Sequence, residues 1–305
     1  MRRIFAIGET VYDIIFRGSE VLAAKAGGSM LNTAVSLGRL QLAVNMITEY
    51  GCDPPGDLID EFLGKNGVDT AYSCRYRNGK TAIALAFLDN KNDARYSFYK
   101  MYPAKRLDIE MPEFNAGDIV LFGAFYSLLP EVRKQVVNLV RTARKAGALI
   151  IYDPNIRSPH KKEIAGLRKD VFENISLAHI VRGSDEDFIT MFDISSGKEA
   201  MELVRKHGCN ILLYTKSSKG VEVYLPSGMQ QYPVPLVETV STIGAGDSFN
   251  AGMICELSAL AGLSPTSIEN NIGKIVSTAV SFGSHVCTHY DNYISKEFAR
   301  NWNTC

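Results

Sequence analysis

The strongest constraint on this chain is a rhythm, in which short apolar runs alternate with longer stretches of helical spacing. Runs occur at 4–8 (IFAIG), 44–51 (VNMITEYG), 118–123 (DIVLFG), 148–153 (ALIIYD), 178–183 (AHIVRG) and 210–215 (NILLYT). Between them, 32–42 (NTAVSLGRLQL), 56–67 (GDLIDEFLGKNG) and 129–147 space their apolar residues as helices do, and Gly67 supplies a stop signal. The strand candidates are largely apolar rather than alternating with polar residues, so both of their faces are expected to be buried. Buried strands separated by helices predict an α/β fold with a mainly parallel central sheet covered on both sides. With 305 residues, 46% of them hydrophobic, there is ample apolar surface for one large α/β domain or two ordinary ones.

One stretch breaks the rhythm. KTAIALAFLDNKNDARYSFYK (80–100) reads as two strands around a polar turn at Asp89–Asp93. An isolated hairpin is marginal in water, so this pair predicts a small separate sheet, serving as a lid or as a dimer surface.

Lys+Arg and Asp+Glu both number 33, giving zero formal charge and no clustered basic face of the kind nucleic acid requires. The six cysteines, Cys52, Cys74, Cys209, Cys255, Cys287 and Cys305, show neither C-x-x-C nor zinc-ligand spacing, which fits a reducing compartment. The N-terminal apolar run is too short for a secretory core or a membrane span, so the expectation is a soluble, cytoplasmic protein with no nucleic-acid or membrane partner.

Chemistry concentrates in VSTIGAGDSFNAG (240–252). Small residues running into a helix start leave free N–H groups and a positive dipole end, which together cradle an anion. Asp247 falls in the first turn, where the dipole favours its charged form, and such a carboxylate beside an anion cradle can accept a hydroxyl proton. Ordinary capping explains these residues equally well when they are taken alone. A second constellation, GGSMLN (27–32), pairs glycines that permit close backbone approach with the donor and acceptor of Asn32. With Asp13 upstream it suits adjacent sugar hydroxyls; a glycine turn capping a helix that begins near Asn32 is the plainer alternative. No G-x-x-x-x-G-K-[ST] occurs, and Phe249 stands where a dinucleotide fingerprint needs its third glycine, which argues against a P-loop enzyme and a nicotinamide-dependent oxidoreductase.

GGSMLN early and TIGAGDSF late, in a chain of this length, resemble the ribokinase-like (PfkB) family of sugar kinases. GETVYD (8–13), YGCDPPG (50–56), IYDPNIR (151–157), SDED (184–187) and LLYTKSSKG (212–220) extend the resemblance nearly end to end, and IYDPNIR is similar to fructokinase and 2-keto-3-deoxygluconate kinase members. The resemblance implies a single three-layer αβα sandwich over 1–305 with a small β-sheet lid inserted around 10–20 and 72–102. It implies an ATP-dependent kinase acting on a primary hydroxyl of a small sugar, fructose first, with 2-keto-3-deoxygluconate, ribose or a nucleoside as alternatives. A sugar-binding regulator without catalysis is the alternative of another class.

Site roles follow from the same resemblance. Asp247 would be the general base, and the amides of Gly244, Ala245 and Gly246 the anion hole. Asp13, Gly28 and Asn32 would hold sugar hydroxyls; Tyr99 and Lys100, at the end of the lid segment, would reach the substrate. Asn155 and Arg157 would lie near the phosphates, Arg157 on the substrate and Asn155 on the nucleotide. Ser184, Thr215 and Gly220 would complete the nucleotide site, and Asp187 would act on magnesium through water. ATP and magnesium are the implied cofactors; apart from the resemblance, the apolar, aromatic hairpin at 80–100 leads to the expectation of a homodimer through the lid. The chain departs from the pattern at Ser241, where many members carry an aspartate that helps hold a monovalent cation, so potassium dependence stays open. Ser217 and Gln41 stand where glycine is usual, Arg182 where lysine is common, and VCTHYDNY (286–293) replaces a Gly-Ala pair.

Overall fold

A computed structural model of the chain describes residues 2–88, 94–156 and 161–303. The Asp89–Asp93 turn, Arg157 and Cys305 lie outside the described residues. In chain order the strands are β1 (Arg3–Ile7), β2 (Val11–Arg17), β3 (Glu20–Gly27), β4 (Ala43–Ile47), β5 (Glu49–Gly51), β6 (Val68–Asp69), β7 (Cys74–Tyr76), β8 (Lys80–Leu88), β9 (Ala94–Met101), β10 (Ile119–Gly123), β11 (Leu149–Asp153), β12 (Ile180–Ser184), β13 (Leu212–Thr215), β14 (Val221–Leu225) and β15 (Gly228–Tyr232). The helices are α1 (Ser29–Arg39), α2 (Pro54–Lys65), α3 (Pro130–Lys145), α4 (Lys161–Leu177), α5 (Asp185–Phe192), α6 (Gly197–Lys206), α7 (Ala245–Ala259), α8 (Pro265–Asn270), α9 (Ile272–Cys287) and α10 (Lys296–Asn303).

The central sheet has the order β15-β14-β13-β12-β11-β10-β1-β4-β6. From β6 to β13 every pairing is parallel, and β14 and β15 add an antiparallel hairpin at one edge. Alternate residues of one strand feed two cores: Ile4 and Ala6 pack with Leu31 of α1, Ile254 of α7 and Val276 of α9, while Phe5 and Ile7 pack with Val136 of α3. Both sheet faces are therefore dry, as the apolar runs required, and the molecule has three layers.

Local chemistry places the helices. Asp53 caps α2 by accepting the Gly56 N–H at 3.1 Å, with prolines at the first helical positions, and Gly67 (φ 75°) lets the chain leave. The same carboxylate accepts the Thr81 N–H at 3.0 Å and so ties α2 to β8. Helix α1 starts at Ser29, three residues earlier than its apolar spacing shows, because Gly28 (φ 131°) turns the chain directly out of β3.

A second, four-stranded sheet, in the order β3-β2-β8-β9, stands apart from the central one. Its strands lie within 11–27, 80–88 and 94–101; the short β7 instead pairs with β5. Its β9 is exposed from Arg95 to Met101, with Phe98 at 53% and Tyr99 at 60%. No helix among the described residues is long and apolar enough to cross a membrane.

Candidate active site

The chain runs from β1 to β4 on one side and later returns to β10 on the other, so β1 marks the switch point at which α/β sheets open a crevice beyond their carboxyl ends. Asp247, 4% exposed, sits in the first turn of α7. Its Oδ2 accepts from Asn32 Nδ2 at 2.8 Å and its Oδ1 from Asn155 Nδ2 at 3.3 Å. Thr33 Oγ1 donates to the Asp247 carbonyl at 2.9 Å and locks α1 to α7. Each carboxylate oxygen thus takes an amide donor from a different element. Asn32 Oδ1 is buried without a hydrogen-bond partner among the described residues, an acceptor left for a hydroxyl.

The glycines before Asp247 are there for room. Gly244 has φ 82°, and a Cβ on it would lie 2.3 Å from the Asn292 carbonyl. A Cβ on Gly246 would lie 2.9 Å from a guanidinium nitrogen of Arg182. The paired glycines at 27 and 28 admit the chain itself: a Cβ on Gly27 would meet Asp13 Oδ2 at 2.0 Å, and one on Gly28 the Glu9 carbonyl at 2.4 Å. Burial pushes the Asp13 carboxyl up to about 6, and Lys25, opposite it across β2 and β3, partly opposes that rise.

The other expected residues divide. Lys100 Nζ is paired with Glu9 Oε1 at 2.8 Å, just beyond β1. The pleat turns Tyr99 to the opposite face of the small sheet. Ser184 and Asp187 form a reciprocal capping box at the start of α5, and Asp187 also accepts the Ile156 N–H at 2.7 Å. Thr215 Oγ1 accepts from Arg182 at 3.0 Å. Gly220 (φ 107°) closes the turn after β13. Ser217 and Gln41 take φ values of 50° and 61°, the left-handed region that favours glycine. Ser241 Oγ accepts the Ile243 N–H at 3.2 Å.

Sequence reasoning missed a buried ion pair behind the site. Glu49, the first residue of β5, accepts from Arg106 Nε at 2.8 Å, from the Leu107 N–H at 2.8 Å and from Tyr126 Oη at 3.1 Å. The Arg106 guanidinium lies 3.5 Å from the Tyr102 ring centroid. Partners 57 residues apart leave no local pattern, and only the lone Glu inside an apolar run gave a signal. Further along the sheet, Tyr232, Pro233, Pro235, Val280 and Ser284 line a depression of about 370 Å³ between β15 and α9.

Among the described residues no group of three or more His, Cys, Asp or Glu is placed to hold a metal ion. Asp187 already receives three hydrogen bonds from the Ile156 N–H and from Ser184 N and Oγ. This donor set fits a hard cation that arrives on phosphates and touches the chain through water, not an all-protein cage.

The sequence profile described as pfkB family carbohydrate kinase matches residues 1–297. A fructokinase of Rhizobium leguminosarum bv. trifolii is 30% identical over 263 residues, 83% of this chain and 79% of that protein. A fructokinase of Vibrio alginolyticus is 24% identical over 260 residues, 85% of each chain. In structure, the chain is similar to aminoimidazole riboside kinase from Salmonella enterica complexed with aminoimidazole riboside and an ATP analog (TM-score 0.85, 21% identity, 99% of both chains). It is equally similar to fructokinase from Vibrio cholerae O395 in the fructose, ADP and calcium ion bound form (TM-score 0.85, 22% identity, 97% and 96% of the chains). With a buried aspartate at a glycine-rich helix start, a mainly parallel sheet and a separate four-stranded sheet all in the same chain as that end-to-end match, this protein belongs to the pfkB family of carbohydrate kinases.

Proposed function

We propose that the chain is an ATP-dependent kinase of a neutral sugar, fructose first, phosphorylating a primary hydroxyl. The observation that carries this reading is Asp247, held by Asn32 and Asn155 beside the Gly244–Gly246 turn. In the reaction Asp247 accepts the hydroxyl proton as the oxygen attacks the γ-phosphorus in line, and the Gly244, Ala245 and Gly246 amides take up the charge that develops. Asp13, Gly28 and Asn32 bind and orient the sugar. The base of ATP lies in the depression between β15 and α9, with Thr215 and Gly220 along the nucleotide. Magnesium, carried on the phosphates, would be held through water by Asp187 and would neutralise phosphate charge. The small sheet closes over the sugar as a lid and excludes water.

Charge separates fructose from an acidic sugar. Lys25, on β3, stands opposite Asp13 and donates to Asn292 Oδ1 at 3.3 Å, and two further basic residues near the lid, Lys100 and Arg106, are engaged by carboxylates, Lys100 by Glu9 and Arg106 by the buried Glu49. None of the three is left unpartnered to meet a sugar carboxylate. Fructose is also what the Rhizobium and Vibrio relatives' names indicate. A panel of fructose, ribose, nucleosides and 2-keto-3-deoxygluconate, assayed for ADP release with and without potassium, tests this: fructose should give the highest kcat/KM. A preference for the sugar acid would overturn the charge argument, and binding without turnover on every sugar would favour a regulator.

Asp13 sets a pH dependence. Above about pH 6 its carboxylate accepts sugar hydroxyls; below it the protonated form gives up acceptor capacity. KM for fructose should therefore rise as pH falls through about 6. In Asp13→Asn the KM should be raised throughout and lose that step; a step that persists assigns the titration elsewhere.

A dimer through the small sheet is the matching proposal for assembly. Val21 and Leu22 on β3 and Tyr96, Phe98, Tyr99 and Met101 on β9 are large, apolar or aromatic, and exposed on its two edge strands. Light scattering should show a dimer for the native chain and a monomer for Phe98→Lys. A native monomer at assay and at tenfold higher concentration refutes the interface. We place the protein in the cytoplasm, on the strength of its five unpaired thiols among the described residues.

A further inference from the structure

Arg182, on β12, is 6% exposed and has no part in the roles assigned above. Its Nη1 lies 3.3 Å from Asp153 Oδ2 at the end of β11, and its Nη2 donates to Thr215 Oγ1 at the end of β13. Nε is buried without a hydrogen-bond partner among the described residues. The guanidinium carbon sits 5.5 Å from the Phe249 ring centroid on α7. A Cβ built on Gly246 would lie 2.9 Å from Nη1 and 3.0 Å from Nη2, so the flat guanidinium occupies the space directly against the first turn of α7. Asp153, fully buried, also accepts from Asn250 Nδ2 of α7 on the same Oδ2 and from the Asn155 N–H on Oδ1. One cation thus touches the strand end beside the nucleotide turn, the strand that leads into Asn155, and the helix that carries Asp247.

An ion pair this dry is a poor device for stability alone, since apolar side chains of similar volume in its place are often as stable. What an apolar pair does not supply is a fixed positive charge against a turn whose amides face an anion. Out of water that charge is little screened by salt, and it needs no reorganisation as charge develops.

We propose that Arg182 is a positioning residue for phosphoryl transfer: its guanidinium backs Gly246, fixes the Gly244–Gly246 turn, and adds positive potential behind the amides. The proposal rests on the reading that these amides receive the transferring group, so Asp247→Asn is measured in parallel as the test of that reading.

The decisive variant is Arg182→Met with Asp153→Asn, which removes both buried charges and leaves neither unpaired. It should melt close to wild type and bind fructose and ATP within about threefold, while kcat falls about 10- to 100-fold, less than the ~10²–10³ for a direct oxyanion donor. A merely structural ion pair would not separate kcat from binding and melting in this way. A folded double variant with wild-type kcat overturns the proposal. If Asp247→Asn is inactive in that case, the anion-hole reading survives alone; if Asp247→Asn is also active, both fall. Should the double variant not fold, Arg182→Lys is compared with Arg182→Gln at equal folded fraction. Lysine retaining kcat within about tenfold of wild type, with glutamine at least about tenfold lower again, supports the charge; equal kcat in the two overturns it.

Discussion

Asp247→Asn should lower kcat about 10²–10⁴-fold while leaving the affinity for fructose within a few-fold. The substitution keeps the shape of the side chain and removes its capacity to accept a proton. In the native site one amide donor approaches each carboxylate oxygen, Asn32 Nδ2 at 2.8 Å and Asn155 Nδ2 at 3.3 Å. An asparagine at 247 can keep its carbonyl toward the nearer donor and turn its own NH₂ toward Asn155, so the weaker contact absorbs the mismatch. The α1–α7 seam is held separately by Thr33 on the Asp247 backbone carbonyl and does not depend on the side chain. Binding and chemistry should therefore part company, with calorimetric sugar affinity near native and ADP release nearly lost. Turnover near wild type would remove Asp247 from the role of base, and wild-type protein that binds sugar but turns over nothing would favour the regulator.

Fold and site differ in how far the chain reveals them, and the reason lies in where the partners are. Runs such as IFAIG and ALIIYD stand out because both faces of β1 and β11 are dry, so each residue in the run carries the signal. The edge hairpin of β14 and β15 does not, because GMQQY at β15 is almost wholly exposed and needs no apolar residues to pair with β14. The start of α1 was hidden by the glycine before it, which makes the turn with no side chain at all. Within the site, Asp247 and its glycines were legible as one contiguous motif, and GGSMLN as another. Their geometry was not: the room that Gly27 makes for Asp13, and the place of Gly246 against Arg182, depend on residues many positions away. SDED illustrates the converse. Its sequence fits a capping box as well as an ion site, and the structure shows the box.

The largest effect on stability should come from a residue that does not touch the sugar. Arg106→Met is expected to destabilise the fold by about 3–5 kcal/mol, because it strands the Glu49 carboxylate in a dry interior. For a chain of this size that corresponds to a fall in melting temperature of about 5–8 °C. Glu49 keeps the Leu107 N–H and Tyr126 Oη as donors, but two neutral hydrogen bonds do not replace a guanidinium that donates through Nε at 2.8 Å and keeps Nη2 2.6 Å from the same oxygen as an ion pair. The double variant Glu49→Gln with Arg106→Met should recover most of the loss, since it removes the buried charge together with its partner. Recovery in the double variant is the informative result. If the double is as unstable as Arg106→Met alone, the cost belongs to lost packing, chiefly the guanidinium against the Tyr102 ring, and not to an unpaired charge. The distinction bears on catalysis as well. Tyr102 lies just past β9 and its hydroxyl binds the same Glu9 that pairs with Lys100. A double variant restored in melting temperature but raised in KM for fructose would show that Arg106 also holds the small sheet in register with the crevice, through Tyr102 and Glu9.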